Sequence, residues 1–182
     1  MDHTSHAINE NTAFTAELVD SLLAADPSIH AVAIVHCETT TGIMNPIQEI
    51  GEVVRRHNKT YFVDSMSAFG GVCFDFQACH IDYLVSSANK CIEGVPGFSF
   101  CIAKRDSLEQ TAGWSRTLSF DLHAQWKGLE GNGQFRFTPP THTMLAFRQA
   151  LEELKIEGGV AARQQRYQAN CERLLKGMTR IG

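Results

Sequence analysis

Through the first 105 residues the apolar positions switch between helical spacing and short unbroken runs of strand length. Residues 15–25 read as an amphipathic helix stopped by Asp26-Pro27. Ala31 to His36 is an apolar run of strand length. Pro46 opens a helix through about His57, with Ile47, Ile50, Val53 and Val54 on one face. Strands are predicted at 60–64, 82–86 and 98–103, with a turn at Gly70-Gly71 between the first two. Repeated strand–helix–strand units with continuous apolar strands predict an α/β fold, a mainly parallel sheet with helices on both faces.

Beyond residue 105 the pattern weakens, and residues 106–136 hold few periodic segments. Thr138 before Pro139-Pro140 reads as an N-cap, opening a helix to about Ile156 that Gly158-Gly159 stops. A further helix, charged on one side with Leu174, Leu175 and Met178 on the other, runs to the end of the sequence. It closes at Ile181-Gly182 with no sign of a concluding strand. Neither an internal repeat nor a low-complexity stretch interrupts this order.

Composition narrows the class. The chain of 182 residues has room for one substantial core, and its 43% hydrophobic and 20% charged content is that of a soluble globular protein. Twenty acids against sixteen bases, without a basic cluster, argue against nucleic acid as a partner. The polar start from Met1 to His6 lacks the apolar centre of a signal peptide, and no run of about 18 apolar residues predicts a membrane span. Six scattered cysteines without a CxxC pair read as reduced core residues of a cytoplasmic protein.

The chemistry gathers at predicted strand ends, where open α/β sheets bind ligands. His36 to Gly42 follows the first clear strand, Asp64 to Met66 the second, and Ser87 to Lys90 the third. A lysine at one strand end and an aspartate at another suit a pyridoxal phosphate site. The lysine forms a Schiff base, and the carboxylate keeps the pyridine nitrogen protonated. Cys91 to Gly97 is turn-rich, as expected where backbone passes close to a cofactor. His36-Cys37-Glu38 begins like a zinc-deaminase signature, but none of the five prolines is followed by cysteine, so no metal site is expected. Neither a P-loop nor a G-x-S-x-G elbow occurs.

Four stretches carry a resemblance: Val35 to Pro46, Val63 to Gly71, Ser86 to Phe98 and Phe135 to His142. They resemble the class V, fold type I aminotransferases, and within them the 2-aminoethylphosphonate–pyruvate branch. The resemblance implies pyridoxal 5'-phosphate as cofactor, with amine and keto-acid substrates and a homodimer. Lys90 would be the Schiff-base lysine and Asp64 the partner of the pyridine nitrogen. Thr39 would approach the ring's 3-oxygen, Met66 would pack on one ring face, and Asn89 would lie near the phosphate. Thr138 matches a threonine that contacts the phosphate held by the other subunit. The fold it implies is a partial large domain over 1–135, then helices over 136–182 leading towards a small C-terminal domain. A Ser-Gly-Thr-like phosphate turn and a substrate-binding arginine, both usual in the family, are expected outside residues 1–182. Two alternatives stay open: an aminotransferase of the alanine–glyoxylate or serine–pyruvate type, and a non-catalytic fragment that binds the cofactor weakly or joins another subunit.

Overall fold

The computed structural model describes residues 3–181, so Met1, Asp2 and Gly182 of the two polar ends lie outside the described residues. In chain order the elements are α1 (Ala16–Ala25), β1 (Ala31–Val35), α2 (Ile47–Arg56), β2 (Thr60–Asp64), β3 (Tyr83–Ser87), β4 (Ser99–Ala103), α3 (Arg105–Glu109), α4 (Leu122–Asn132), α5 (Thr141–Glu157) and α6 (Gly159–Ile181). The strands form one sheet in the order β1-β2-β3-β4. β1, β2 and β3 run parallel, and β4 returns antiparallel to β3. The mainly parallel sheet expected from the apolar runs is therefore present.

Local chemistry explains the first helices. The Thr15 hydroxyl accepts from the Leu18 N–H at 3.2 Å, and Asp26 closes α1 in extended backbone before Pro27. In α2, Ile47, Ile50, Gly51 and Val54 recur at three- and four-residue steps and are all buried. Gly51 is there for space, because a Cβ would sit 2.0 Å from the Cys79 carbonyl oxygen. Val19 and Leu23 of α1, the stripe of α2, and Tyr61, Val63 and Leu84 of the strands share one core cluster. Each such aliphatic side chain contributes about 1.5–3 kcal/mol on burial. On the alternate positions the strands are less covered: Ala31 and Ala33 are exposed, and Phe62, Tyr83 and Val85 half-buried.

A second, smaller cluster joins Ile92 to Ala150 and Leu154 of α5. Phe147 of α5 meets Phe98 and Phe100, with ring centroids 5.2 and 5.6 Å apart, which ties α5 to the start of β4. Gly158 and Gly159 take φ of +110° and +78°, left-handed values that let the chain end α5 and begin α6 at once.

Three expectations need correction. The stretch after residue 104 holds two helices, α3 and α4, and α4 has a true N-cap in Asp121, whose carboxylate accepts from the Ala124 N–H at 2.9 Å. Thr138 does not cap α5: the cap is Pro140 and the helix begins at Thr141. Residues 138 and 139 both precede prolines, which pushes their backbone out of the helical region. Of the six cysteines, all free, only Cys79 is fully buried, while Cys73 and Cys171 are exposed. Leu174, Leu175 and Met178 of α6 lie at least 60% exposed.

Candidate active site

Because β1, β2 and β3 are parallel, their carboxyl ends open on one edge of the sheet, and each continues into a segment that carries a polar side chain to that edge. After β1 the chain makes a tight excursion. The Glu38 N–H donates to the Ile43 carbonyl (2.9 Å), and Gly42 turns with φ +72°. Asn45, almost fully buried, anchors this excursion. Its amide donates to the Val35 carbonyl (2.8 Å) and the Glu38 carboxylate (3.2 Å), and its oxygen accepts from the Phe14 N–H (2.9 Å). Thr39 is thereby presented at the edge, where its hydroxyl pairs with that of Ser67 at 2.9 Å.

Asp64 is the last residue of β2. Its carboxylate accepts from the Met66 N–H (2.9 Å), an Asx-type turn that fixes the side chain as the chain leaves the sheet. From the neighbouring strand end, the His36 N–H donates to the Asp64 carbonyl at 2.7 Å. The His36 ring is 3% exposed, lies edge-on to Phe74, and its Nδ1 pairs with the Ser65 hydroxyl at 3.0 Å. Burial pushes the His36 pKa down to about 4, so the ring is neutral at pH 7.

That shift has a stability consequence. Unfolded His36 takes up its proton near pH 6.5, whereas the folded ring resists until about pH 4. The unfolded state binds more protons in between, so stability falls as pH drops through that window. Urea denaturation should register a loss on the order of 2 kcal/mol from this group between pH 7 and pH 5. His36→Gln should remove that part of the pH slope.

Lys90 stands in the connection from β3 to β4. Antiparallel pairing down to Ser87↔Ser99 pinches the base of this loop, and the Ala88 N–H reaches the Phe98 carbonyl at 3.2 Å. Inside it the Glu93 N–H donates to the Lys90 carbonyl (2.7 Å) and the Gly94 N–H to the Ala88 carbonyl (2.9 Å). Glu93 adopts φ +63°, rare for a residue with a Cβ, and holds the turn that follows the lysine. The hydroxyls of Ser86 and Ser87, just before the loop, are buried without a partner among the described residues.

Lys90, Asp64, Thr39 and Met66 line a single cleft of about 320 Å³, together with Glu38 and Ser67. Asn89 is exposed beside Lys90 and does not line this cleft. Thr138 stands apart, in an open groove of about 680 Å³ with Arg136 and Phe137. Glu38 and Ser67 lie in the stretches that carry the resemblance, which gives neither a role. Their hydrogen bonds to Asn45 and Thr39 give them one, and no periodicity could have signalled it.

The class-V aminotransferase profile matches residues 4–182. The chain belongs to the class-V aminotransferase family. It is 55% identical over 181 residues to the 2-aminoethylphosphonate–pyruvate transaminases of Salmonella typhimurium (strain LT2) and Salmonella paratyphi C, covering 99% of this chain and 49% of each relative. The chain thus spans about half the length of these curated relatives. Among solved structures, the alanine–glyoxylate aminotransferase of Nostoc sp. superposes with a TM-score of 0.83 at 27% identity, over 94% of this chain and 46% of that one. The pyridoxamine–pyruvate aminotransferase of Mesorhizobium loti gives 0.79 at 27% identity, over 87% and 41%. Among the described residues of this class-V aminotransferase chain, no group of His, Cys, Asp and Glu is arranged to hold a metal ion, and no helix is long and apolar enough to cross a membrane.

Proposed function

We propose that this chain carries the central part of a pyridoxal phosphate-dependent aminotransferase that moves the amino group of 2-aminoethylphosphonate to pyruvate, releasing phosphonoacetaldehyde and L-alanine. The observation that carries the reading is the meeting of Lys90 and Asp64, from separate strand ends, in one cleft. The 55% identity to the phosphonate transaminases supports the choice of donor over the alanine–glyoxylate type, whose structural likeness is 27% identical.

The donor set suits the cofactor's ring. A carboxylate faces the cleft for the pyridine nitrogen, a hydroxyl for the phenolic oxygen, an amine for the carbonyl carbon and a thioether for one ring face. Ser86 and Ser87, which precede the lysine's loop, have buried hydroxyls with hydrogen-bonding capacity unfilled among the described residues. When bound, pyridoxal phosphate supplies the electron sink that stabilises negative charge at the substrate carbon.

Around it each residue has a task. Lys90 Nζ would hold the cofactor by its carbonyl carbon and, once free, would serve as the base and acid that moves the substrate's proton. Asp64 would pair with the ring nitrogen and keep it protonated, strengthening the electron sink. Thr39, whose hydroxyl pairs with that of Ser67, would approach the phenolic oxygen. Met66 would pack on the ring, and Asn89 and Thr138 would serve the phosphate, Thr138 from the second subunit of a homodimer. In the same reading, residues 1–135 are part of the large domain and 136–182 lead towards a small one, in a cytoplasmic enzyme.

Donor competition on the purified protein tests this. Phosphonoacetaldehyde should form from 2-aminoethylphosphonate and pyruvate in preference to products of alanine or serine donors. A donor profile that excludes 2-aminoethylphosphonate overturns the substrate assignment. Failure of wild type to gain a Schiff-base absorbance band with pyridoxal phosphate would mean that the chain alone is no working cofactor site.

A further inference from the structure

The loop that carries Lys90 is held from α6, far away in sequence. Arg163 is only 2% exposed, and its Nη1 donates to the carbonyl of Cys91, the residue after Lys90, at 2.8 Å. Its Nε and Nη2 donate to the Glu157 carboxylate at 2.9 and 2.6 Å, and Nη2 lies 3.5 Å from Glu93. Arg166 bridges the same two acids, donating to Glu157 at 2.7 Å and Glu93 at 2.8 Å, and the Tyr167 hydroxyl donates to Glu93 at 2.9 Å. Glu93 is the residue in left-handed backbone whose N–H donates to the Lys90 carbonyl. The same stretch of α6 also reaches the segment beyond Asp64, where Gln164 accepts from the Cys73 N–H at 2.8 Å.

Two physical points set this apart from an ordinary surface ion pair. A guanidinium taken out of water needs its donors satisfied, and here they go to a carboxylate and to a backbone carbonyl adjoining the lysine. The left-handed turn at Glu93 is strained for a residue with a Cβ, and its side chain accepts from Arg166 and Tyr167, which holds it there. Glu157 reaches both arginines because Gly158 and Gly159 fold the end of α5 back on the start of α6.

We propose that Arg163 is a positioning residue for Lys90, acting through the Cys91 carbonyl and the Glu93 turn, so that α6 sets where the lysine amine sits in the cleft. The inference rests on Lys90 being the cofactor lysine, but the clamp itself can be measured without cofactor.

The experiment compares wild type with Arg163→Met, Arg163→Lys and the control Lys104→Met, which removes an ion pair to Asp82 away from the loop. In cofactor-free protein, amide hydrogen exchange over residues 89–94 and acylation of Lys90 relative to Lys59 are read. With pyridoxal phosphate added, the rate of Schiff-base band formation and the pH midpoint of that band are read. Arg163→Met should raise exchange over 89–94 by about tenfold or more and change Lys90 acylation, while exchange in β2 stays at the wild-type level. It should also slow band formation and move the pH midpoint. Arg163→Lys should restore part of each change, and Lys104→Met none of them.

Glu93→Gln, a milder change at a half-exposed acid, should move the same readouts in the same direction if Arg163→Met does not fold. Exchange and acylation within about twofold of wild type in the folded variants would overturn the clamp. Faster exchange with an unmoved midpoint and formation rate would leave Arg163 a purely structural residue and overturn its positioning role. If wild type itself forms no band, the cofactor reading fails, and exchange with acylation alone decides the clamp.

Discussion

Lys90→Ala should lose the Schiff-base absorbance that the protein gains with pyridoxal phosphate, and amino transfer should fall by about 10⁴-fold or more. The size of the effect follows from the two tasks proposed for one amine: to hold the cofactor and to move the substrate's proton. Among the described residues no other amine lines the cleft to take over either task. The fold should survive, because Lys90 is exposed and its backbone carbonyl, not its side chain, accepts from the Glu93 N–H. Unchanged thermal unfolding together with residual transfer near the wild-type rate would remove Lys90 from the mechanism.

Asp64→Asn should retain the band yet turn over about 10²–10³-fold more slowly, the usual cost of removing one preorganised electrostatic partner. The amide is nearly isosteric, and its oxygen can still accept from the Met66 N–H that the carboxylate accepts now at 2.9 Å. What it lacks is the negative charge that, in the proposed role, would keep the ring nitrogen cationic. Asp64→Ala removes both charge and turn and should add a stability loss of about 1 kcal/mol. Steady-state rates beside urea denaturation separate the two effects. If Asp64→Asn matched wild type in rate, the carboxylate would have no electronic role.

Much of this was legible in the sequence, for reasons that differ by segment. The strands around Val63 and Leu84 read clearly because both residues are buried in the main core, so selection of apolar side chains there has a physical cause. The α2 stripe read clearly because one face packs on Tyr61 and its neighbours and the other meets water. α4 did not, because none of its residues is fully buried and Gly128 and Gly131 dilute its helical propensity. The antiparallel course of β4 left no mark either, since five apolar-rich residues read alike in both directions. In the cleft, Lys90, Asp64 and Thr39 stood out by chemistry at strand ends. Arg163 and Glu157 could not, because nothing local in α5 or α6 announces contact with residues 91 and 93.

The placement of Asp64 has a consequence for how the gene can change. Side chains along β2 alternate: Tyr61 and Val63 go into the core, while Phe62 and Asp64 are half-buried. β2 is held between two partners, with Val35↔Asp64 on one side and Asp64↔Val85 on the other. A shift of one residue in that ladder would turn the carboxylate from the cleft into the apolar layer and bring Val63 out in its place. Deleting a single codon between Thr60 and Val63 would therefore be a chemical lesion as severe as losing the aspartate, although every residue of the cleft would remain encoded.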